Sequence, residues 1–341
     1  MIIRTMKRFK RRLYKYLPII KIIFLLFAVC CSLLAIFRLL LPAFLFLSNF
    51  VKTSRQPSLQ TSNDRVNILL LGSGGLDHAA PDLTDSIIFA SIRVKDGETI
   101  LLSIPRDIWV DSMRAKINTA YHYGEEKKNG GGLILAKAAV SEILDQPIHY
   151  ALLLDFNGFI KAVDLVGEIE IEVERTFDDY KYPIPGMEEA EPEELRYEHL
   201  HFDKGLEHMD GERALKYIRS RYAEGEEGTD FARSERQQKF LLAFKNKVFS
   251  VRTFFNPGKI KELAKIFGDS IDTDIKEREY PEFLKLALKL KQSKIKTVVL
   301  NEDLLHTPSK SEYDNQWVLV PKSGDWQEVQ KYVQELLTPN D

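Results

Sequence analysis

The chain has 341 residues with 48 Lys+Arg against 50 Asp+Glu, and a hydrophobic fraction of 44% excludes a disordered polypeptide. The near-neutral balance averages two unlike parts: residues 1–63 hold eleven Lys/Arg and no acid, which leaves 37 basic and 50 acidic side chains for the other 278 residues. A domain with that acidic excess is not a general nucleic-acid binder, and the adjacent Cys30 and Cys31 provide neither a disulfide framework nor a zinc site.

In chain order, residues 1–18 form a basic segment with seven Lys/Arg before Pro18. From Ile19 to Leu47 the sequence is apolar except for Lys21, Ser32 and Arg38. A bilayer span needs about 20 such residues, and no Ala-x-Ala cleavage signal follows. Residues 19–47 therefore read as a retained transmembrane anchor. The basic flank marks the cytoplasmic side, which predicts a single-pass protein of the cell membrane with its large domain outside the cytoplasm. Two layouts are open: one tilted helix to Leu47, or a span ending at a snorkelling Arg38 with Leu39 to Phe50 along the membrane surface. Residues 48–64 are Ser/Thr/Gln-rich towards their end and read as a linker.

Beyond the linker, strand and helix signals alternate. Val66 to Leu71 is a β-type run ended by Gly72-Ser73-Gly74-Gly75, a loop in this reading. Ser86 to Val94 and Thr99 to Ile104 form a hairpin around Asp96-Gly97. Leu133 to Leu144 has helical spacing, His149 to Leu154 reads as a strand, Phe156 to Leu165 as a helix and Glu168 to Glu174 as an alternating strand. Pro183 to Glu198 reads as an exposed acidic insertion. Gly211 to Tyr222 and Phe231 to Val248 are amphipathic helices, and Lys296 to Leu300 and Trp317 to Val320 read as paired strands. The expected fold class is α/β, a mixed sheet flanked by helices, behind one N-terminal transmembrane helix. Residues 65–250 would be the catalytic domain and 251–341 a C-terminal extension of it.

Asp85 and Asp107 flank the hairpin symmetrically about residue 96. Symmetric positions face each other across an antiparallel ladder, where like charges are destabilising unless a cation lies between them. Mg²⁺, a hard ion taking carboxylates and substrate phosphates, meets that need. The alternative is a turn cap at Asp85 and a base pairing with Asp107.

Arginines cluster later, in Gly211-Glu-Arg-Ala-Leu-Lys-Tyr-Ile-Arg-Ser-Arg-Tyr222 and Asp230-Phe-Ala-Arg-Ser-Glu-Arg-Gln-Gln238. Asp230 suits a helix N-cap. Arg233 and Arg236 then oppose the helix dipole in the first two turns, which a bound anion would explain. Arg233, Gln237, Phe240 and Phe244 share one face, joining a phosphate-binding head to an apolar lane. Arginines paired with glutamates and an aromatic stripe packed as core are the competing readings.

Together these segments resemble the LytR-CpsA-Psr family of membrane-anchored cell-envelope phosphotransferases. The matching stretches are Val66-Asn-Ile-Leu-Leu-Leu-Gly72, Thr84-Asp-Ser86, Ser103-Ile-Pro-Arg-Asp107, Lys116-Ile-Asn118, Leu154-Asp-Phe156, Asp210-Gly-Glu-Arg-Ala-Leu215, Arg219-Ser-Arg221 and Asp230 to Gln238, all in family order. The resemblance implies an α/β domain that holds a polyprenyl-pyrophosphate-linked glycan and transfers the phosphoglycan to a hydroxyl of peptidoglycan or another cell-wall acceptor, with Mg²⁺ near the pyrophosphate. Carried over, Asp85 and Asp107 would bind the metal, with Asp107 also the best candidate base and Arg106 beside it. Arg219, Arg221 and Arg233 would contact the pyrophosphate next to Gln237, and Arg114 and Lys116 would add positive charge. Leu83-Thr84 stands where the family often has Arg-Ser, and the Gly72–Gly75 loop lacks the usual Gly-x-Asp. A hydrolase that transfers to water, and a non-catalytic binder of lipid-linked glycans, are the alternatives.

Overall fold

The computed structural model describes residues 59–75, 81–187, 189–254 and 256–338. The expected anchor lies outside them; among the described residues no helix is long and apolar enough to cross a membrane.

The first three strands, β1 (Arg65–Ser73), β2 (Thr84–Arg93) and β3 (Thr99–Ser103), form an antiparallel meander. All five β3 residues are buried, as expected where a strand is covered on both faces. Short strands β4 (Trp109–Val110) and β5 (Ala115–Lys116) lead into helices α1 (Ala120–Lys127) and α2 (Gly132–Leu144). Strand β6 (Tyr150–Asp155) then pairs parallel to β1. Its last residue, Asp155, caps α3 (Phe156–Val166) by accepting the Gly158 N–H at 2.6 Å.

Four strands follow: β7 (Ile169–Val173), β8 (Phe177–Pro183), β9 (Tyr197–Phe202) and β10 (Gly205–Met209). They form two ribbons, β7 with β10 and β8 with β9. Helix α4 (Gly211–Arg219) is capped by Asp210, and α5 (Asp230–Val248) follows. The cap of α5 is Thr229, whose hydroxyl accepts the Ala232 N–H at 3.1 Å, and not Asp230. The rest of the chain supplies α6 (Val251–Phe254), α7 (Pro257–Ser270), β11 (Ile271–Thr273), α8 (Tyr280–Leu290), β12 (Ile295–Val299), β13 (Leu305–His306), β14 (Val320–Pro321) and α9 (Gln327–Leu337).

The main sheet is mixed, in the order β11-β6-β1-β2-β3-β12, with β12 parallel to β3. The segment around Val320 pairs with β13 rather than with the 296–300 strand. On one face Leu69, Leu71, Phe89 and Leu102 pack with Leu133, Val140 and Ile143 of α2 and Val329 and Val333 of α9. On the other, Ile68, Ile88, Ala90 and Leu101 pack near Leu286 of α8. A second core joins α3, α4 and α5 to the ribbons through Phe159, Val163, Ile171, Phe202, Leu215 and Phe240.

Three further expectations change. Ser73 ends β1 as a buried residue opposite Asp155 rather than lying in a loop. The helix expected to run from Gly211 to Tyr222 stops at Arg219, because buried Asp179 takes the N–H groups that would continue it, Arg221 at 3.1 Å and Tyr222 at 3.2 Å, and also accepts from Ser220 Oγ at 2.7 Å. In the hairpin, Ile92 faces Thr99 and Ile88 faces Ser103, so its symmetry lies between Lys95 and Asp96, half a residue from the expected centre. Continued outward, that register sets Arg106, not Asp107, opposite Asp85.

Candidate active site

A cavity of about 500 Å³ opens between the sheet and the layer of α3, α4 and α5. Its lining divides by chemistry. The polar part includes Asp85, Arg106, Arg219, Arg221, Arg233 and Gln237, with Asp155, Asp179 and Tyr182 beside them. The apolar part comes from Ile88 and Leu152 of the sheet and from Phe159, Ile218, Phe240 and Phe244 of the helices, among others.

Arg106 is the hub of the hairpin side. Its Nη1 forms an ion pair with Asp85 Oδ1, and its Nε lies 3.5 Å from Asp107 Oδ2. Burial opposes its charge, but Asp85 and Asp107 outweigh that and raise its pKa. Asp107 is buried, does not line the cavity, and accepts from Lys116 Nζ at 2.7 Å. Lys116 therefore acts through Asp107 and is no part of the lining. Arg114 does not line the cavity: it sits on the β4–β5 turn at φ 51°, its side chain 77% exposed and 3.4 Å from Asp314.

The helix side holds three more guanidinium groups. Arg219, at the end of α4, donates to the Tyr182 hydroxyl at 3.0 Å and lies 4.1 Å over the Phe156 ring. Arg221 follows on the turn pinned by Asp179, its Nε 3.5 Å from Asp230 Oδ1. Arg233 is buried on α5, 3.0 Å from the same Asp230 oxygen, and its Nε has no hydrogen-bond partner. Burial pushes the Arg233 pKa down to about 10; Asp230 opposes the shift, while Arg221 and Arg106 add to it. A buried cation crowded by cations, with an unsatisfied donor beside a cavity, is prepared for an anion.

Arg236, in contrast, is fully buried and structural. It donates to the carbonyls of Tyr217 at 3.0 Å and Ser220 at 2.6 Å and pairs with Glu227, locking α4 to α5. Phe240 lies tilted 4.5 Å from Phe159 and stacks 5.8 Å from Phe244. These aromatics combine both readings of the stripe, since they belong to or pack on a core and also wall the cavity.

The donor set near Arg106 suits Mg²⁺, which takes hard oxygen ligands. Asp85 and Asp107 supply carboxylates, and the buried Asn118 Oδ1 has no partner. Asn118 is tied to both flanks of the hairpin: its N–H donates to the Arg106 carbonyl at 3.3 Å and its carbonyl accepts from Thr84 Oγ1 at 3.2 Å. Tyr182, Phe156, Asp179 and Asn118 were not picked out from the sequence as site residues. Tyr182 and Asp179 reach Arg219 and the Arg221 turn from sequence separations of 37 and 42 residues, which no local pattern signals.

The LytR_cpsA_psr family model matches residues 48–335. The chain is 30% identical over 222 residues to a polyisoprenyl-teichoic acid–peptidoglycan teichoic acid transferase TagU of Oceanobacillus iheyensis, covering 64% of this chain and 61% of that one. It is 28% identical over 261 residues to the TagV transferase of the same description from Bacillus subtilis, covering 74% and 60%. It thus spans about three-fifths of the length of these relatives. The crystal structure of B. subtilis TagV superposes with a TM-score of 0.58 at 26% identity, over 82% of this chain and 100% of that one.

Proposed function

The chain belongs to the LytR_cpsA_psr family, and we propose that it transfers a phosphoglycan, of the teichoic-acid class named for its relatives, from a polyprenyl-pyrophosphate carrier to a hydroxyl of peptidoglycan. One observation carries this reading: a single cavity joins a cluster of guanidinium groups to an apolar interior. A pyrophosphate ester of a long isoprenoid has that same division of charge and grease.

In this reading Arg219, Arg221 and Arg233 bind the pyrophosphate oxygens, and Phe240 and Phe244 border the tail. The acceptor oxygen bonds to the phosphorus that carries the glycan. The bond from that phosphorus to the bridging oxygen breaks, polyprenyl monophosphate leaves with the electron pair, and the proton of the acceptor hydroxyl passes to the departing phosphate or to solvent. The guanidinium groups stabilise charge as it builds on the leaving oxygens, a matter of positioning and electrostatics. Asp85 and Asp107, with Asn118 near, would hold Mg²⁺, which when bound supplies further positive charge to the leaving phosphate. Both Asp107 oxygens face cations, Lys116 at 2.7 Å and Arg106 at 3.5 Å, so Asp107 is assigned to organising charge and not to taking the proton.

The basic residues 1–18 and apolar residues 19–47 support a membrane anchor that holds this domain outside the cytoplasm, where both lipid carrier and wall acceptor are reached. The test is reconstitution of the full chain with labelled polyprenyl-pyrophosphoryl oligosaccharide, Mg²⁺ and peptidoglycan. Label joined to the wall fraction through a phosphodiester is expected; label released only as free phosphoglycan would mean hydrolysis instead.

A further inference from the structure

The outward face of the β8–β9 ribbon carries a cluster that the transfer reaction does not use. Asp178 and His201 are direct cross-strand partners, and His199 lies two residues before His201 on the same face. The Asp178 Oδ1 atom is 2.6 Å from His199 Nε2 and 2.8 Å from His201 Nδ1. We propose that Asp178, His199 and His201 form a binding site for a zinc-class divalent ion.

Three features favour a metal over a plain charge cluster. The donor atoms all lie within 4.8 Å of one another, and two imidazoles with one carboxylate are a characteristic zinc donor set with a position left open. The other ring nitrogen of His201, Nε2, is 3.3 Å from Asp203 Oδ1. A carboxylate behind a ligating histidine fixes its tautomer and raises its basicity. Finally, the His199 ring is held by stacking on Tyr180, with centroids 4.3 Å apart and planes 9° from parallel. A tetrahedral ion with donors at ~2 Å needs them roughly 3.3 Å apart, so Asp178 must withdraw from each ring by roughly half an ångström and the two ring nitrogens, within 4.8 Å of each other, must settle at the same spacing. The Asp178 side chain is 28% exposed and the two histidines nearly half exposed, which gives both the ion and the movement room.

The position gives the site a consequence. The same strand, β8, turns Asp179 and Tyr182 inward, where they hold the Arg221 turn and Arg219. An ion clamping β8 to β9 from outside braces the strand that sets two of the cavity arginines.

The test is equilibrium dialysis of the full chain in detergent against Zn²⁺ with excess Mg²⁺, which the oxygen site near Arg106 would take. One zinc per chain is expected. His199→Ala and His201→Ala should each weaken it by tenfold or more, and Asp203→Asn by about tenfold through the ring it orients. His306→Ala, at an exposed histidine elsewhere, should change nothing. Far-UV circular dichroism confirms that each variant is folded. No bound zinc at micromolar concentration, or zinc that survives unchanged in folded His199→Ala and His201→Ala, overturns the proposal.

Discussion

Asp85 pairs with Arg106 across the open end of the β2–β3 hairpin, and the same guanidinium reaches Asp107 with its Nε at 3.5 Å. One cation thus stands between two carboxylates that would otherwise repel each other. The arrangement reverses the stability expectation for a facing pair of acids. Asp85→Ala should destabilise the domain by about 1–3 kcal/mol, since it leaves a largely buried guanidinium short of a partner. A double-mutant cycle with Arg106→Ala, followed by chemical denaturation, should return a coupling of at least about 0.5 kcal/mol. Additive single effects would mean that the pair contributes nothing to the fold.

Arg233→Ala should weaken binding of a polyprenyl pyrophosphate by roughly tenfold to a hundredfold, the worth of a charge-assisted bond to a buried anion. The matching monophosphate should lose less. Isothermal titration with both lipids measures this, and equal losses would show that Arg233 does not read the second phosphate.

The same residue sets a pH dependence. In the folded protein burial lowers its pKa from the ordinary arginine range to about 10. Between those values the unfolded chain holds the proton that the folded chain has lost, so this residue's contribution to stability rises with pH there. The proposed pyrophosphate contact requires the charged form. Affinity should therefore fall as pH rises through about 10, and that component should vanish in Arg233→Ala. A profile identical in the two proteins would assign the loss to other groups.

Asp179→Ala removes one buried carboxylate oxygen that accepts from Ser220, Arg221 and Tyr222. Leaving those donors unsatisfied should cost about 3 kcal/mol. Transfer activity per folded molecule should also fall, because Arg221 loses its fixed turn. Full activity in the folded fraction would show that the turn is held by Arg236 alone.

Phe240 and Phe244 separate packing from lining. Phe240 is buried, so Phe240→Ala should cost about 3–5 kcal/mol. Phe244→Ala, at a half-buried site, should cost less and should reduce the preference for long over short isoprenoid chains. An unchanged chain-length profile in the folded variant would assign Phe244 to packing alone.

Much of the sheet was legible because its strands are apolar runs bounded by Gly, Pro or Asp, and Asp96-Gly97 marks the hairpin directly. The arginine clusters were legible because Arg219, Arg221 and Arg233 lie on or beside helices with clear periodicity. The hairpin register was not, since a turn fixes its centre only to within half a residue, and that half residue decides whether Asp85 meets Asp107 or Arg106. The β8–β9 ribbon was hidden for a different reason. Its acidic, proline-bearing connection masks two short strands, and with them went Asp179 and Tyr182, whose partners are supplied by tertiary structure alone.

The most direct measurement is a structure of the domain with a polyprenyl-pyrophosphoryl saccharide and Mg²⁺ bound. Both phosphorus atoms are expected beside Arg219, Arg221 and Arg233, the metal against Asp85 and Asp107, and the isoprenoid running between Phe159, Phe240 and Phe244. A headgroup bound away from these arginines, or a tail left outside the cavity, would contradict this arrangement.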